Sequence, residues 1–64
     1  DETAIDVLND VLLNDVRPVI RETAAWALGK IGTEKAKEKL NAAMKEVNEL
    51  SVIEEIEKAL ANIE

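Results

Sequence analysis

Residues 18–32 read Pro18-Val19-Ile20-Arg21-Glu22-Thr23-Ala24-Ala25-Trp26-Ala27-Leu28-Gly29-Lys30-Ile31-Gly32, and this run contains a whole helix together with both of its boundaries. Proline suits the first position of a helix, where its missing N–H costs nothing, and glycine suits the left-handed position after the last turn. Apolar residues recur between the two at helical spacing: Ala24, Ala27, Leu28 and Ile31. The run therefore predicts one helix, and its small residues would let a neighbouring backbone approach closely.

The rest of the chain predicts three further helices. The apolar stripe of residues 1–13 is wider than one packing partner needs, which indicates a first helix with apolar surface to spare. Thr33 is the natural N-cap of a third helix, and Ser51 with Glu54 predicts a capping box at the start of a fourth helix that ends near Ile63. The fourth helix has a narrow apolar stripe, as a helix at the end of an array should.

The two halves of the chain resemble each other. Residues 1–32 align with residues 33–64 without a gap, and eight positions are identical: Glu2/Glu34, Ala4/Ala36, Leu8/Leu40, Asn9/Asn41, Glu22/Glu54, Ala27/Ala59, Leu28/Leu60 and Ile31/Ile63. A period of about 32 residues is typical of solenoids, in which each helical hairpin buries its apolar face by stacking on the next. We therefore predict an all-α domain of four antiparallel helices: two stacked hairpins in a short right-handed α-solenoid, with residues 1–32 as repeat 1 and residues 33–64 as repeat 2, a C-terminal cap.

The predicted core takes apolar residues from all four helices. It consists of Leu8, Leu12, Ile20, Ala24, Leu28, Ile31, Leu40, Met44, Ile56, Leu60 and Ile63. Arg21 is predicted to have a structural role beside this core. We expect it to pair with an acid near the turn between the first two helices, such as Asp15.

Composition excludes most catalytic chemistry. The 64 residues contain no cysteine, histidine or tyrosine, so many of the usual catalytic groups and all thiolate metal ligands are missing. Asp6 and Asp10 lie four residues apart on one helix, but two carboxylates without further ligands make a weak cation site. We expect no catalytic, metal or cofactor site in this piece, which argues against an enzyme in its own right.

The charge of the chain bears on its partners and its location. The formal net charge is −6, and each half of the chain carries three more acids than bases. An evenly acidic surface argues against direct binding of nucleic acid. The sequence shows neither a signal peptide nor an apolar run that could cross a bilayer, so we expect no membrane contact and a cytoplasmic location. Because the chain begins at Asp1 without methionine, it is interpreted as a fragment of a longer chain.

Four residues of the second helix form the candidate partner-binding surface: Val19, Glu22, Trp26 and Lys30. Trp26 and Val19 lie on the side of the helix away from the predicted core. The second helices of a solenoid line its concave surface, so Trp26 could anchor a protein partner there. The other interpretation is that Trp26 packs on a neighbouring repeat or on another domain of a parent chain.

The surplus apolar surface of the first helix predicts a further contact. Preceding repeats or domains of a parent chain would cover it, and a homodimer through this helix would explain the same surface. Either arrangement makes the piece an interaction module.

The pattern Pro18-x-Ile20-Arg21-x-x-Ala24-Ala25-x-Ala27-Leu28-Gly29-x-Ile31-Gly32 resembles the second helix of a HEAT-like repeat of the phycobilin-lyase type. The second copy departs from this pattern, because Leu50 stands in place of the proline and Ile53 in place of the arginine. Ala61 and Glu64 replace the two glycines. Repeat 2 is therefore identified by its period more than by its motif.

A narrower resemblance covers most of the chain. The run from Pro18 to Gly32, the alanine- and lysine-rich helix after it, and residues 52–56 are together similar to the extreme C-terminus of epoxyqueuosine reductases. That family's activity is the last reduction in making queuosine in tRNA, with cobalamin and iron–sulfur clusters held by earlier domains. No catalytic or cofactor-binding residue of the family can be carried onto this sequence.

The resemblance implies a non-catalytic scaffold module at the C-terminus of an iron–sulfur enzyme. The alternative is a stand-alone HEAT-repeat scaffold whose concave surface binds a protein. The two differ in what precedes Asp1, where an iron–sulfur enzyme must show cysteine runs and a scaffold need show only more repeats.

Leu28→Ala tests the predicted core. Removal of a large side chain from the centre of a small domain should lower the free energy of unfolding by ~2–5 kcal/mol. Thermal and urea unfolding followed by circular dichroism measure the loss. Unfolding like that of the unchanged chain would show that the core has been misplaced.

Overall fold

The computed structural model describes residues 2–63 and consists of four α-helices. α1 spans Glu2–Asn14, α2 spans Pro18–Ile31, α3 spans Glu34–Glu46 and α4 spans Leu50–Ala61, and residues 2–63 contain no strand. The predicted all-α fold of HEAT-like hairpins is confirmed. The division into repeats after residue 32 and the hand of the solenoid stay predictions. Asp1 and Glu64, the outer ends of the two predicted repeats, lie outside the described residues.

The boundaries of α2 follow the local signals of the sequence. Pro18 begins the helix, and Arg17 before it makes no side-chain capping bond. Gly32 ends it in the left-handed conformation with φ 66°, and its N–H donates to the Leu28 carbonyl over 3.1 Å. Such a φ strains any residue with a Cβ, which explains the glycine. Thr33 then caps α3 as predicted, because its hydroxyl accepts from the Ala36 N–H at 3.2 Å.

The predicted capping box at Ser51 and Glu54 is wrong. α4 begins at Leu50, so Ser51 lies inside the first turn, and the N-cap residue Glu49 makes no side-chain bond to the helix. The carboxylate of Glu49 is instead paired with Arg21 of α2. A contact between helices therefore replaces a local capping bond as the interaction that holds the start of α4.

Arg21 links three helices. Its Nε donates to the carbonyl oxygen of Leu12 at 2.9 Å, and its Nη1 donates to Oε1 of Glu49. The Leu12 carbonyl is one of the last four of α1, which have no partner within their own helix. The side chain of Arg21 is only 14% exposed, and charge-assisted bonds of this kind are strong. The expected pair of Arg21 with Asp15 is therefore wrong, and Glu49 is the partner.

Asp15 pairs with its near neighbour Arg17. The Arg17 guanidinium donates to both Asp15 oxygens, at 3.0 and 2.9 Å, and the Arg17 N–H donates at 2.9 Å. These bonds lower the pKa of the Asp15 carboxyl to about 2, and Asp15 in turn raises the pKa of Arg17. Because the pKa of Asp15 is depressed in the folded state, the contact supports the turn above about pH 4 and is lost as the pH falls toward 2.

The core is built around α2, which packs against α1, α3 and α4. Among residues 2–63, α1 and α4 do not pack against each other. Five predicted core residues are buried, and five more are partly buried against them; the first group is Leu12, Ala24, Leu28, Leu40 and Ile56, and the second is Leu8, Ile31, Met44, Leu60 and Ile63. Ile20 was wrongly included, since it is half-buried in the first turn of α2 and lies outside the cluster.

The core also contains residues that the prediction left out, and four of them are alanines. These residues are Ile5, Ala25, Ala36, Ala43, Val47, Val52 and Ala59. Alanine adds little to a pattern of apolar bulk, yet five alanines are buried in this core. The interior is therefore set by small residues as much as by large ones.

A close contact between helices lies where α2 meets α4. A Cβ placed on Gly29 would lie 2.8 Å from the Ala59 Cβ and 3.1 Å from the Ala59 Cα. Real Cβ atoms do not approach other carbons this closely, so any side chain at Gly29 would push the two helices apart. The glycine here serves close packing, whereas Gly32 serves the backbone conformation.

Gly29→Ala should destabilise the chain by about 1–2 kcal/mol, because the overlap with Ala59 outweighs the usual gain from replacing glycine within a helix. Chemical unfolding measures the change. The same substitution should cost less in an Ala59→Gly background, where the nearest overlapping atom is gone, and the same in an Ala61→Gly background. A stabilising Gly29→Ala, or equal costs in all three backgrounds, would contradict the close contact.

Candidate partner-binding site

The structure places the four predicted site residues on one face of α2. Val19, Glu22, Trp26 and Lys30 follow one another at spacings of three and four residues, so their side chains form one stripe along the helix. Val19 is 69% exposed and Trp26 is 53% exposed. Lys30 is exposed and Glu22 is half-buried. Their role in binding stays a prediction, but their common face is a property of the structure.

α4 supplies the other wall of this surface, and the sequence analysis missed it. Two hollows lie between α2 and α4. The first hollow, of about 330 Å³, is lined by Trp26, Gly29, Lys30, Glu55, Lys58, Ala59 and Asn62. The second hollow, of about 220 Å³, is lined by Val19, Glu22, Thr23, Trp26 and Glu55. We call the two hollows and their walls the α2/α4 groove.

The spacing of the α4 residues was a signal that could have revealed this wall. Glu55, Lys58 and Asn62 follow the same three- and four-residue spacing as the α2 stripe. Only the packing of α4 on α2 shows that the two stripes face one groove.

Charges are distributed unevenly along the α2/α4 groove. The first hollow is lined by Lys30, Lys58 and Glu55, whereas the second hollow is lined by Glu22 and Glu55 and by no lysine. Lys30 Nζ lies 5.6 Å from the centroid of the Trp26 ring, which is a cation–π distance. Lys58 Nζ lies 3.9 Å from a carboxylate oxygen of Glu55. The first hollow thus has charges of both signs, the second has only negative charge, and Glu55 and Trp26 line both.

The groups in the groove are suited to binding and not to bond-making chemistry. An indole ring, an exposed valine and charges of both signs are what a polypeptide surface uses to hold another side chain. Within residues 2–63, no group of three or more carboxylates lies close enough to hold a metal ion. Asp6 and Asp10 are engaged separately, since Asp6 lies 3.7 Å from Lys35 and Asp10 accepts from Asn14.

The outer side of α1 is the second exposed apolar surface. Val7 is 59% exposed, which agrees with the wide apolar stripe of this helix. A third hollow, lined by Asn9, Leu13, Lys39, Ala42, Lys45 and Glu46, lies between α1 and α3. What covers α1, whether preceding repeats or a second copy, stays a prediction. No helix within residues 2–63 has the length and apolar character that a bilayer span requires.

Comparison with known proteins assigns the fold to a family. The sequence matches the family of HEAT repeats over residues 1–61. This chain belongs to that family. HEAT repeats stack helical hairpins into extended arrays, and the four helices described above are two such hairpins. No solved structure matches this HEAT-repeat chain significantly.

Several curated relatives of this HEAT-repeat chain are enzymes. It is 46% identical over 56 residues to the epoxyqueuosine reductase of Listeria monocytogenes, covering 88% of the chain and 15% of that enzyme. It is 42% identical over 60 residues to the epoxyqueuosine reductase of Bacillus subtilis, covering 94% of the chain and 16% of that enzyme. The chain is also 38% identical over 60 residues to an uncharacterized protein of Geobacillus stearothermophilus. The match covers 94% of the chain and 28% of that protein. The chain thus spans about one sixth of the enzymes that it matches, in their C-terminal region.

Trp26→Ala should lower the free energy of unfolding by only about 1–2 kcal/mol, because half of this side chain is already in water, whereas a core tryptophan costs about 3–5 kcal/mol. Thermal unfolding of the Trp26→Ala and Leu28→Ala variants under the same conditions compares their losses of stability. A loss as large as that of Leu28→Ala would make Trp26 a core residue. If a longer protein containing the variant kept every interaction while its melting temperature fell, Trp26 would not be a binding anchor.

Proposed function

We propose that this chain is the C-terminal, non-catalytic HEAT-like appendage of an epoxyqueuosine reductase-like iron–sulfur enzyme of tRNA queuosine modification, in the cytoplasm. The observation that carries the proposal is the match to such enzymes, which covers about nine tenths of this chain but only 15–16% of each enzyme. A match so distributed is typical of one module within a larger protein.

The structure supports a role in binding for this module. Its polar groups are engaged in holding the helices, as Arg21 is, or lie on exposed faces without the arrangement of an active site. In the proposed parent, the cobalamin and the iron–sulfur clusters are held by other domains, and this chain needs no cofactor of its own. Its two free surfaces, the outer side of α1 and the α2/α4 groove, would brace the catalytic domains and receive a protein partner. The acidic charge of −6 disfavours direct contact with tRNA phosphates.

The alternative is a stand-alone HEAT-repeat scaffold. The observation that favours this alternative is the similarity to an uncharacterized protein of Geobacillus stearothermophilus, which has no enzyme name. A scaffold would use the same α2/α4 groove without any attached enzyme.

A chimeric enzyme tests the proposal that this chain is the C-terminal appendage of such an enzyme. The 60 matching residues of the Bacillus subtilis enzyme are replaced by those of this chain, and a second variant lacks them altogether. We expect the chimera to reduce epoxyqueuosine in tRNA at a rate within about threefold of the parent, because the packing of HEAT hairpins tolerates substitution on their exposed faces. The truncated enzyme should lose activity or thermal stability while the 64-residue chain alone shows no activity.

A chimera with Leu28→Ala in the inserted part is the matched control, since it should fail in the same way as the truncation. The iron–sulfur absorbance of each variant separates a defect in folding from a defect in function. A folded, cluster-loaded chimera without activity would overturn the proposal. A coding sequence upstream of Asp1 with further helical repeats and no cysteine runs would favour the stand-alone scaffold.

A further inference from the structure

We propose that the second hollow of the α2/α4 groove binds an arginine side chain of a protein partner. The inference rests on the proposed function, because it assigns a chemical class of partner to the groove of the appendage. It is carried by two neighbouring features of this hollow: two carboxylates that lack strong partners, and an apolar side that consists of an indole ring and an exposed valine.

The two carboxylates are the first feature. Glu22 of α2 and Glu55 of α4 line the same hollow from opposite walls. Within residues 2–63, Glu22 has no ion pair or side-chain hydrogen bond, and Glu55 has only the contact of 3.9 Å with Lys58. That contact is loose because Lys58 is 74% exposed, whereas the Glu55 side chain is 24% exposed. Two half-buried carboxylates, one from each helix, therefore line one hollow without a strong partner for their charge.

The apolar side of the hollow is the second feature. Trp26 lines both hollows, but the lysine that lies over its ring lines only the first one. In the second hollow the indole is next to Val19 and Thr23, and the Thr23 hydroxyl is already engaged with the Val19 carbonyl at 3.0 Å. The ring and Val19 thus offer an apolar surface to the stem of a long side chain whose charged end reaches the carboxylates.

Arginine fits these groups better than lysine does. A guanidinium is planar, stacks on aromatic rings and donates in a fork that suits carboxylates, and it is also less strongly hydrated than an ammonium group. The hollow presents both an aromatic ring and a pair of carboxylates, which a single guanidinium can contact together. A nucleic acid would instead bring phosphates toward Glu22 and Glu55, against the charge of the hollow and of the whole chain.

Tryptophan fluorescence provides a direct readout, because Trp26 is the sole tryptophan of the chain. The 64-residue chain, checked for helicity by circular dichroism, is titrated into the millimolar range with a capped nine-residue peptide that has one central arginine between leucines. The same peptide with lysine or citrulline in place of arginine, and a single-stranded uridine oligonucleotide, are the comparison ligands. We expect the arginine peptide to change the fluorescence at the lowest concentration, the lysine peptide to bind less tightly, and the citrulline peptide and the oligonucleotide to have little effect.

Paired variants locate the binding. The double variant Glu22→Gln with Glu55→Gln should lower the affinity for the arginine peptide about tenfold, since two charge pairs are lost. Glu54→Gln with Glu57→Gln removes the same charge from exposed positions of α4 outside the groove and should change the affinity less than twofold.

Three results would overturn the inference: no response to the arginine peptide, equal affinity in the two double variants, or tighter binding of the oligonucleotide than of the peptide. Any of these together with an active chimera would leave the proposed appendage intact and remove only the arginine partner. Arginine binding by the chain together with an inactive chimera would support this site and favour the stand-alone scaffold.

Discussion

The close approach of α2 and α4 at Gly29 and Ala59 is the constraint on which the other features of this HEAT-repeat chain depend. With no side chain on Gly29, the backbone of α2 comes within contact distance of Ala59, and further alanines are buried in the core. A domain of 64 residues has little apolar surface to bury, so tight packing of α2 on α4 supplies stability that size does not. The α2/α4 groove exists because the two helices meet at this distance.

Arg21 joins the two hairpins at their polar edges. It satisfies a free carbonyl at the end of α1 and holds Glu49 at the start of α4, so one side chain links the first two helices to the last. Glu49 at this position leaves α4 without a side-chain cap. The contact between helices has thus taken the place of a local capping bond. These contacts of Arg21 are the physical reason for the arginine in the HEAT-like pattern of α2.

The candidate site follows from how α2 and α4 lie side by side. α2 is packed on three helices, yet it keeps one stripe with Val19 and Trp26 in solvent. α4 places Glu55 and Lys58 opposite that stripe, so that one hollow has charges of both signs and the other has only carboxylates. Relatives that are enzymes use only about one sixth of their length for this module, which suits a module whose function is contact.

Periodicity, Pro18, Gly32 and Thr33 act within a few residues, so the sequence alone predicts the four helices, most of their boundaries, the exposed stripe of α2 and about half of the core. The three-dimensional packing was needed to show that Arg21 pairs with Glu49 instead of Asp15, that α4 begins before Ser51, that small residues such as Ala25 and Ala59 are buried, and that Glu22 and Glu55 line one hollow. Distance along the chain explains the difference. These contacts join residues about 30 positions apart, and the pattern of either helix alone does not show which of its residues will meet the other.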